Sequence, residues 1–256
     1  MSAGKDLDLG GGTHARFPSQ THWTLIAAAG DSSSPEAQAA LNQLCQTYWF
    51  PIYAFIRREG NDSHKAKDLT QSFFVHLLRK NLIQKMDREK GKFRSFLCAS
   101  LKNFLIDGIR SEKRDRDLVP IPDEAEAEYG QLPVHEPDPT KLFDRTWAGT
   151  VIKQATERLK QAYADRGKLE AYEAMKRCLT GELSPDSYPE LGAKLGMSKE
   201  TLEVNLFRFR KAFGGLVRNV IAETVDPSEI NEEIQYLLSA WSAYLNEKPG
   251  ATSGLA

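Results

Sequence analysis

The stretch Gly91–Arg116, GKFRSFLCASLKNFLIDGIRSEKRDR, decides how the rest of the chain is read. Phe93, Phe96, Leu97, Leu101, Phe104 and Leu105 recur at three- and four-residue spacing, the mark of one apolar helical face. Arg94, Lys102, Asn103 and Arg110 fall largely off that face, where they can reach a partner. From Arg88 to Arg116 nine Lys/Arg stand against four Asp/Glu, in a chain whose formal net charge is −1. Such a local excess suits a nucleic-acid contact, because neutralised phosphates supply most non-specific affinity. A solvated basic helix end, which the helix dipole favours, is the other reading of the same residues.

Length and composition bound what surrounds this segment. With 256 residues the chain can bury a core of one large or two smaller domains. Its 41% hydrophobic and 27% charged content is that of a soluble globular protein. No apolar run approaches the roughly 20 residues that span a bilayer. The first 20 residues read as a flexible tail without the apolar core of a secretory signal, so a cytoplasmic location is expected. Cys45, Cys98 and Cys178 are odd in number and sit in apolar helical contexts, as buried reduced thiols do. The five His are scattered and none has zinc-ligand spacing with a Cys, so no metal and no cofactor is expected.

Strand alternation is nearly absent, and helical periodicity carries the chain, so the fold class is all-α. A helix opening at Ser33-Ser34-Pro35-Glu36 carries Leu41, Leu44, Tyr48, Ile52, Phe55 and Ile56, with Pro51 expected to kink or split it. A second starts near Asp62-Ser63 and buries Ala66, Leu69, Phe73 and Leu77. With the opening segment these make a helical domain over 21–116, with Trp23 and Trp49 in its core. Residues 117–140 form an acidic linker, with Pro at 120, 122, 133 and 137 and seven Asp/Glu but no Lys or Arg from Asp117 to Asp138. It reads as a solvated spacer or as an acidic strap over the basic segment.

A second helical domain spans 141–225. Phe143, Trp147, Val151, Ile152, Ala155 and Leu159 mark one helix, and Leu169, Tyr172, Met175 and Leu179 the next. Ser187-Tyr188-Pro189-Glu190 reads as a capping box before a short helix ending at Gly196, and Ser198 caps a longer one to about Arg218. Two helices across a tight Gly-containing turn form the helix-turn-helix pattern, in which the second helix lies in the major groove. Residues 226–256 add a capped start at Asp226-Pro227-Ser228-Glu229 and a stripe of Ile230, Ile234, Leu237, Leu238, Trp241, Tyr244 and Leu245. This acidic amphipathic helix packs either into a core, as such stripes usually do, or over the basic face of the helix-turn-helix.

Taken in order, these motifs resemble a known family. Asp68-Leu-Thr-Gln-Ser-Phe-Phe74, Gly91-Lys-Phe-Arg-Ser-Phe-Leu97, and Asn103 with Asp107 and Arg110 resemble conserved region two of bacterial RNA polymerase sigma factors. The segment from Tyr188 to Leu202, with Arg208 and Arg210 behind it, looks like region four. The likeness is to the extracytoplasmic-function type of the sigma-70 family, which keeps only these two regions. It implies that Asp68 and Gln71 dock on the polymerase, and that Arg94, Lys102, Asn103 and Arg110 hold the opened −10 strand. It further implies that Lys199, Glu200, Thr201, Asn205 and Arg208 face the −35 element. The partners implied are core RNA polymerase, promoter DNA and, in this type, an anti-sigma factor, with no membrane. Ser72, Phe96 and Glu203 depart from the family's usual carboxylate, Trp and basic residue.

Two other functions fit the helix-turn-helix: a regulator acting without polymerase, and a sigma-like adaptor that binds polymerase without opening DNA. A lone regulator usually needs a basic domain and a dimer, so a net charge of −1 favours the sigma reading. An enzyme is not expected, since the chain carries no Gly-rich phosphate loop, nucleophile elbow or metal-ligand cluster.

Overall fold

The computed structural model describes residues 35–80, 82, 92–108, 125–130, 132, 138–179, 187–225 and 227–247. Trp23, the tail through residue 20, Gly91 and the basic run from 109 to 116, Arg110 included, lie outside the described residues, as do the side chains of Tyr244 and Leu245. The described residues are helical throughout their regular structure, in the all-α class expected. In chain order the helices are α1 (Pro35–Arg58), α2 (Ser63–Arg79), α3 (Phe93–Gly108), α4 (Ala125–Gly130), α5 (Pro139–Ala164), α6 (Leu169–Met175), α7 (Tyr188–Leu195), α8 (Lys199–Ala222) and α9 (Ile230–Glu247).

The chain packs as two units, one of residues 152–220 and the other of residues 18–151 with 221–256. α9 therefore belongs with the early helices and not with the helix-turn-helix.

The larger unit is built on α1. Pro51 lies inside that helix without splitting it, and Tyr48, Trp49, Ile52, Tyr53, Phe55 and Ile56 are buried along it. Asp62 starts α2 by accepting a hydrogen bond from the Lys65 amide at 2.9 Å, which satisfies one orphan donor of the first turn. α2 buries Ala66, Phe73, Phe74 and Leu77, and α3 buries Phe93, Leu97 and Leu101. Aromatic contacts join them: Phe93 meets the Tyr48 ring edge-on at 5.5 Å, and Phe104 lies 5.4 Å from Phe73. Phe96, half-buried, stands 6.3 Å from Phe93, as a core aromatic does.

Part of the acidic linker is ordered against this unit. Residues 125–130 form α4, and Glu126 receives hydrogen bonds from Arg57 at 2.6 and 3.2 Å and from the Tyr53 hydroxyl. The Arg57 guanidinium also covers the Tyr129 ring at 4.7 Å. Leu132 packs with Ala54 and Leu142. The acidic segment thus meets α1 through Arg57, and its six ordered helical residues are more than an extended spacer. The strap over the basic segment that the sequence left open is not the contact described.

In the smaller unit Leu159, Tyr163, Tyr172, Met175, Leu191, Leu202, Leu206 and Phe209 form the core. Phe209 meets Tyr163 edge-on at 5.4 Å and Tyr172 at 6.1 Å. Ser187 does not cap α7 as a capping box requires: its backbone is already helical (φ −84°, ψ −6°) and its side chain makes no capping bond. The turn from α7 to α8 is closed instead by Gly196, whose φ of +65° is the left-handed C-cap conformation. Met197 N–H donates to the Gly192 carbonyl at 2.9 Å. A Cβ on Gly192 would stand 3.1 Å from the Met197 carbonyl oxygen, a tight approach that glycine relieves.

Phe209→Ala removes the ring common to these aromatic contacts at a site with no exposure. It is expected to cost about 3–5 kcal/mol, read as a lower midpoint in chemical denaturation.

Candidate nucleic-acid and polymerase interface

α3 sorts its residues as an amphipathic helix must. Phe93, Leu97 and Leu101 face inward, while Ser95, Ala99, Lys102, Asn103, Ile106 and Asp107 are exposed. Lys102 and Asn103 thus lie side by side on the open face, beside an Ile106 that is 66% exposed. Asp68 and Gln71, one turn apart on α2, are half-buried. His76 on α2 stacks at a tilt on Phe104 of α3, centroids 5.2 Å apart. Burial, with some help from Lys80 and against the pull of Asp107, holds His76 below its ordinary pKa of 6.5.

Arg94 does not stand on that face. Its side chain is buried, the whole residue 6% exposed. Nε donates to Glu233 of α9 at 2.9 Å, and Nη1 donates to Asp144 of α5. The cation also lies 4.0 Å from the Tyr236 ring centroid and 5.1 Å from that of Trp147. Burial opposes the charge, but Asp144 and Glu233 outweigh it and hold the guanidinium above its ordinary pKa. Lys92, just before α3, reaches both Glu232 and Glu233 at 3.1 Å. The two cations at the start of α3 are therefore engaged with carboxylates of the chain itself. As described, Arg94 does not present the outward cation that the sequence expects.

On α8 the expected outward residues divide. Lys199 and Glu200 are exposed and Thr201 and Arg208 half-buried, with the Thr201 amide donating to Ser198 Oγ at 3.3 Å. Asn205 faces inward at 2% exposure: its Nδ2 approaches Met197 Sδ at 3.5 Å and its Oδ1 is buried without a hydrogen-bond partner. The 3.6-residue period explains the difference. Asn205 lies one turn along from Thr201 and Leu202, and adjacent to buried Leu206, so it turns toward the α7–α8 core. The open face instead carries Glu203, Val204 and Phe207, the last 66% exposed.

Comparison with known proteins bears on the larger unit. The Sigma-70 region 2 family model matches residues 46–115, which run from α1 through α2 and α3. The chain is also similar to the ECF RNA polymerase sigma factor SigE of Mycolicibacterium smegmatis (strain ATCC 700084 / mc(2)155). The two are 23% identical over 204 residues, covering 80% of this chain and 70% of that protein. These similarities are to the sigma-70 family, and the family-model match lies within the larger unit. No solved structure matches it significantly. Region 2 therefore contains Asp68, Gln71, Lys102, Asn103 and the caged Arg94.

Sequence reasoning missed the carboxylates and rings that hold Arg94. Asp144 and Glu233 lie 50 and 139 residues away in sequence, so no local spacing joins them to it. The available signal was composition: six acids and no Lys or Arg between Glu223 and Glu247 beside an apolar stripe. Among the described residues no group of His, Cys, Asp and Glu is arranged to hold a metal, and no helix is long and apolar enough to cross a membrane.

Two outcomes follow from these environments. The His76 pKa is lower in the folded chain than unfolded, so its contribution to stability is complete above about pH 6.5 and is lost as pH falls through the folded value. The melting temperature is expected to fall between pH 7 and 5 by a component that His76→Gln removes. For Asn205, replacement by Leu deletes a buried unpaired oxygen and is expected to hold or raise stability by up to about 1 kcal/mol, whereas Asn205→Asp lowers it by about 3 kcal/mol or more. Thermal melts of the two variants against the parent check this.

Proposed function

We propose that the chain acts in transcription initiation as a sigma factor of the extracytoplasmic-function type, bringing core RNA polymerase to promoters and helping to open them. The observation that carries this reading is the coincidence of the region 2 match with a unit that exposes Lys102 and Asn103 on one face of α3. Asn103 has the donor and acceptor needed at an unpaired base edge, and Lys102 supplies a phosphate contact. Asp68 and Gln71 on α2 are the polar, half-buried pair proposed to meet the polymerase, a chemistry suited to a reversible interface. On α8, Lys199, Glu200, Thr201 and Arg208 are the proposed −35 contacts, while Asn205 supports the helix from within. Arg110 completes the proposed −10 set from outside the described residues.

Net charge supports a division of labour. A net charge of −1 gives little general attraction for DNA, and in this reading the polymerase supplies what α3 and α8 do not. A regulator working alone would need that affinity itself.

The test is run-off transcription with core polymerase over a promoter library. Initiation from a defined subset of promoters is expected, with no promoter-specific binding by the protein alone. Lys102→Ala and Asn103→Ala should each lower promoter opening roughly tenfold, followed by permanganate reactivity, while leaving core binding unchanged. Equal loss of opening and of core binding would overturn the role given to these two residues. Core binding without opening at any promoter would leave the adaptor function in its place.

A further inference from the structure

The cage around Arg94 joins the start of region 2's strand-facing helix to the far end of the chain. α9 supplies Glu232 and Glu233 to Lys92, Glu233 to Arg94, and the Tyr236 ring over the guanidinium. Glu233 itself is fully buried. These carboxylates occupy the positions that phosphates would take if Lys92 and Arg94 were to track a nucleic-acid backbone.

We propose that α9 is a releasable acidic clamp that competes with the nucleic-acid strand for Lys92 and Arg94. This rests on the reading of α3 as the strand-holding helix. Three features favour a clamp that lets go over a permanent brace. Of the thirteen described side chains of α9, from Ile230 to Ser242, only Ile230, Glu233 and Leu237 are buried, so its apolar anchorage is slight. Leu238 is 53% exposed, although it belongs to the stripe that the sequence marks as apolar. Finally, the contact is mainly ionic. A buried ion pair gains little net stability over its separated, solvated partners, and a phosphate can replace a carboxylate on the same cations at little net cost. Asp144 on α5 stays beside Arg94 after α9 leaves and keeps the freed guanidinium aimed, while Lys92 loses both its carboxylates.

The clamp also assigns Trp147 a place. Its ring and that of Tyr236 both contact the Arg94 cation, and Trp241 packs against Gly149 two residues further along α5. Release of α9 takes Tyr236 off the Arg94 cation and Trp241 off Gly149, which frees the two cations for phosphates.

The experiment uses the full-length chain and a fluorescent single-stranded oligonucleotide of mixed sequence, with affinity measured over a range of salt. Two variants undock α9 by different routes. Glu233→Gln weakens its ionic hold, and Leu237→Asp puts a charge where its buried leucine sits. Both are expected to bind the oligonucleotide several-fold more tightly than the parent. The slope of log affinity against log salt should steepen by roughly 1 to 1.5, the share of two added phosphate contacts on a single strand. Adding Arg94→Ala to either variant should remove about half of that increment. Affinity and slope unchanged from the parent in both folded variants overturn the proposal. So does a gain that survives Arg94→Ala in full, and so does a chain that loses its helical circular-dichroism signal in Leu237→Asp, since α9 would then be part of the fold itself. Run-off transcription by the parent chain, done in parallel, separates the two ideas. Its failure counts against the sigma function, whereas oligonucleotide binding that ignores α9 counts against the clamp alone.

Discussion

A single guanidinium sets much of the larger unit's architecture. Arg94 leaves water at the beginning of α3, and a buried cation is tolerable only with anionic partners close by. Asp144 and Glu233 meet that need from α5 and α9, and Tyr236 and Trp147 cover the planar faces that neither carboxylate reaches. Arginine suits this position better than lysine would, because its fork can serve two carboxylates while its faces stack on rings. The consequence is long-range. Three helices that no local signal connects are brought to one point, and a helix from the end of the chain becomes part of the unit that carries region 2.

The aromatic core does complementary work. Tyr48 contacts Phe93 on one side and stacks on Phe143 at 6.4 Å on another, so α1 links α3 to α5 through apolar contacts while Arg94 links α3 to α5 through charge. Apolar contacts are tolerant of small shifts, whereas ion pairs demand their geometry. The helix thus has a firm inner anchor and, at its first turn, a polar one that other anions can contest. Its outer face, with Lys102, Asn103 and Ile106 exposed, remains accessible in either case.

Most of the fold was legible because helices report themselves locally. The apolar spacing of Phe93, Leu97 and Leu101, the Asp62 cap and the Gly196 stop are all read within a turn or two. Residues whose surroundings depend on distant elements were not legible. Arg94 falls off the apolar face by helical period, so it reads as exposed, and carboxylates 50 and 139 residues away make it a buried residue. Asn205 differs for a nearer reason: a polar residue on a helix that follows a tight turn invites an outward reading, yet the turn fixed by Gly196 rolls that position toward Leu206 and Met197. Pro51 reads as a kink or a break, and the helix runs through it unsplit, since a helix this well buried carries one missing amide. In the acidic segment, charge alone suggested a spacer, while Ala125, Tyr129 and Leu132 supplied the apolar contacts that let six residues dock.

The open face of α8 bears on how such a protein would divide recognition between its two units. Around its first two turns it shows Lys199, Glu200, Glu203, Val204 and Phe207, a surface with two carboxylates to one cation until Arg210 and Lys211 are reached. Phosphate attraction there is weak, so placement on a duplex would rely on contacts of another kind. Val204 and Phe207 offer apolar contact of the sort that fits a thymine methyl, and a carboxylate can accept from a cytosine amine. Both contacts discriminate between bases while adding little affinity. A unit built this way selects a site only when something else holds it near the DNA, and the same is true of α3 while Lys92 and Arg94 stay clamped. Weak intrinsic affinity in both units would suit the proposed function, in which DNA is met within a larger assembly.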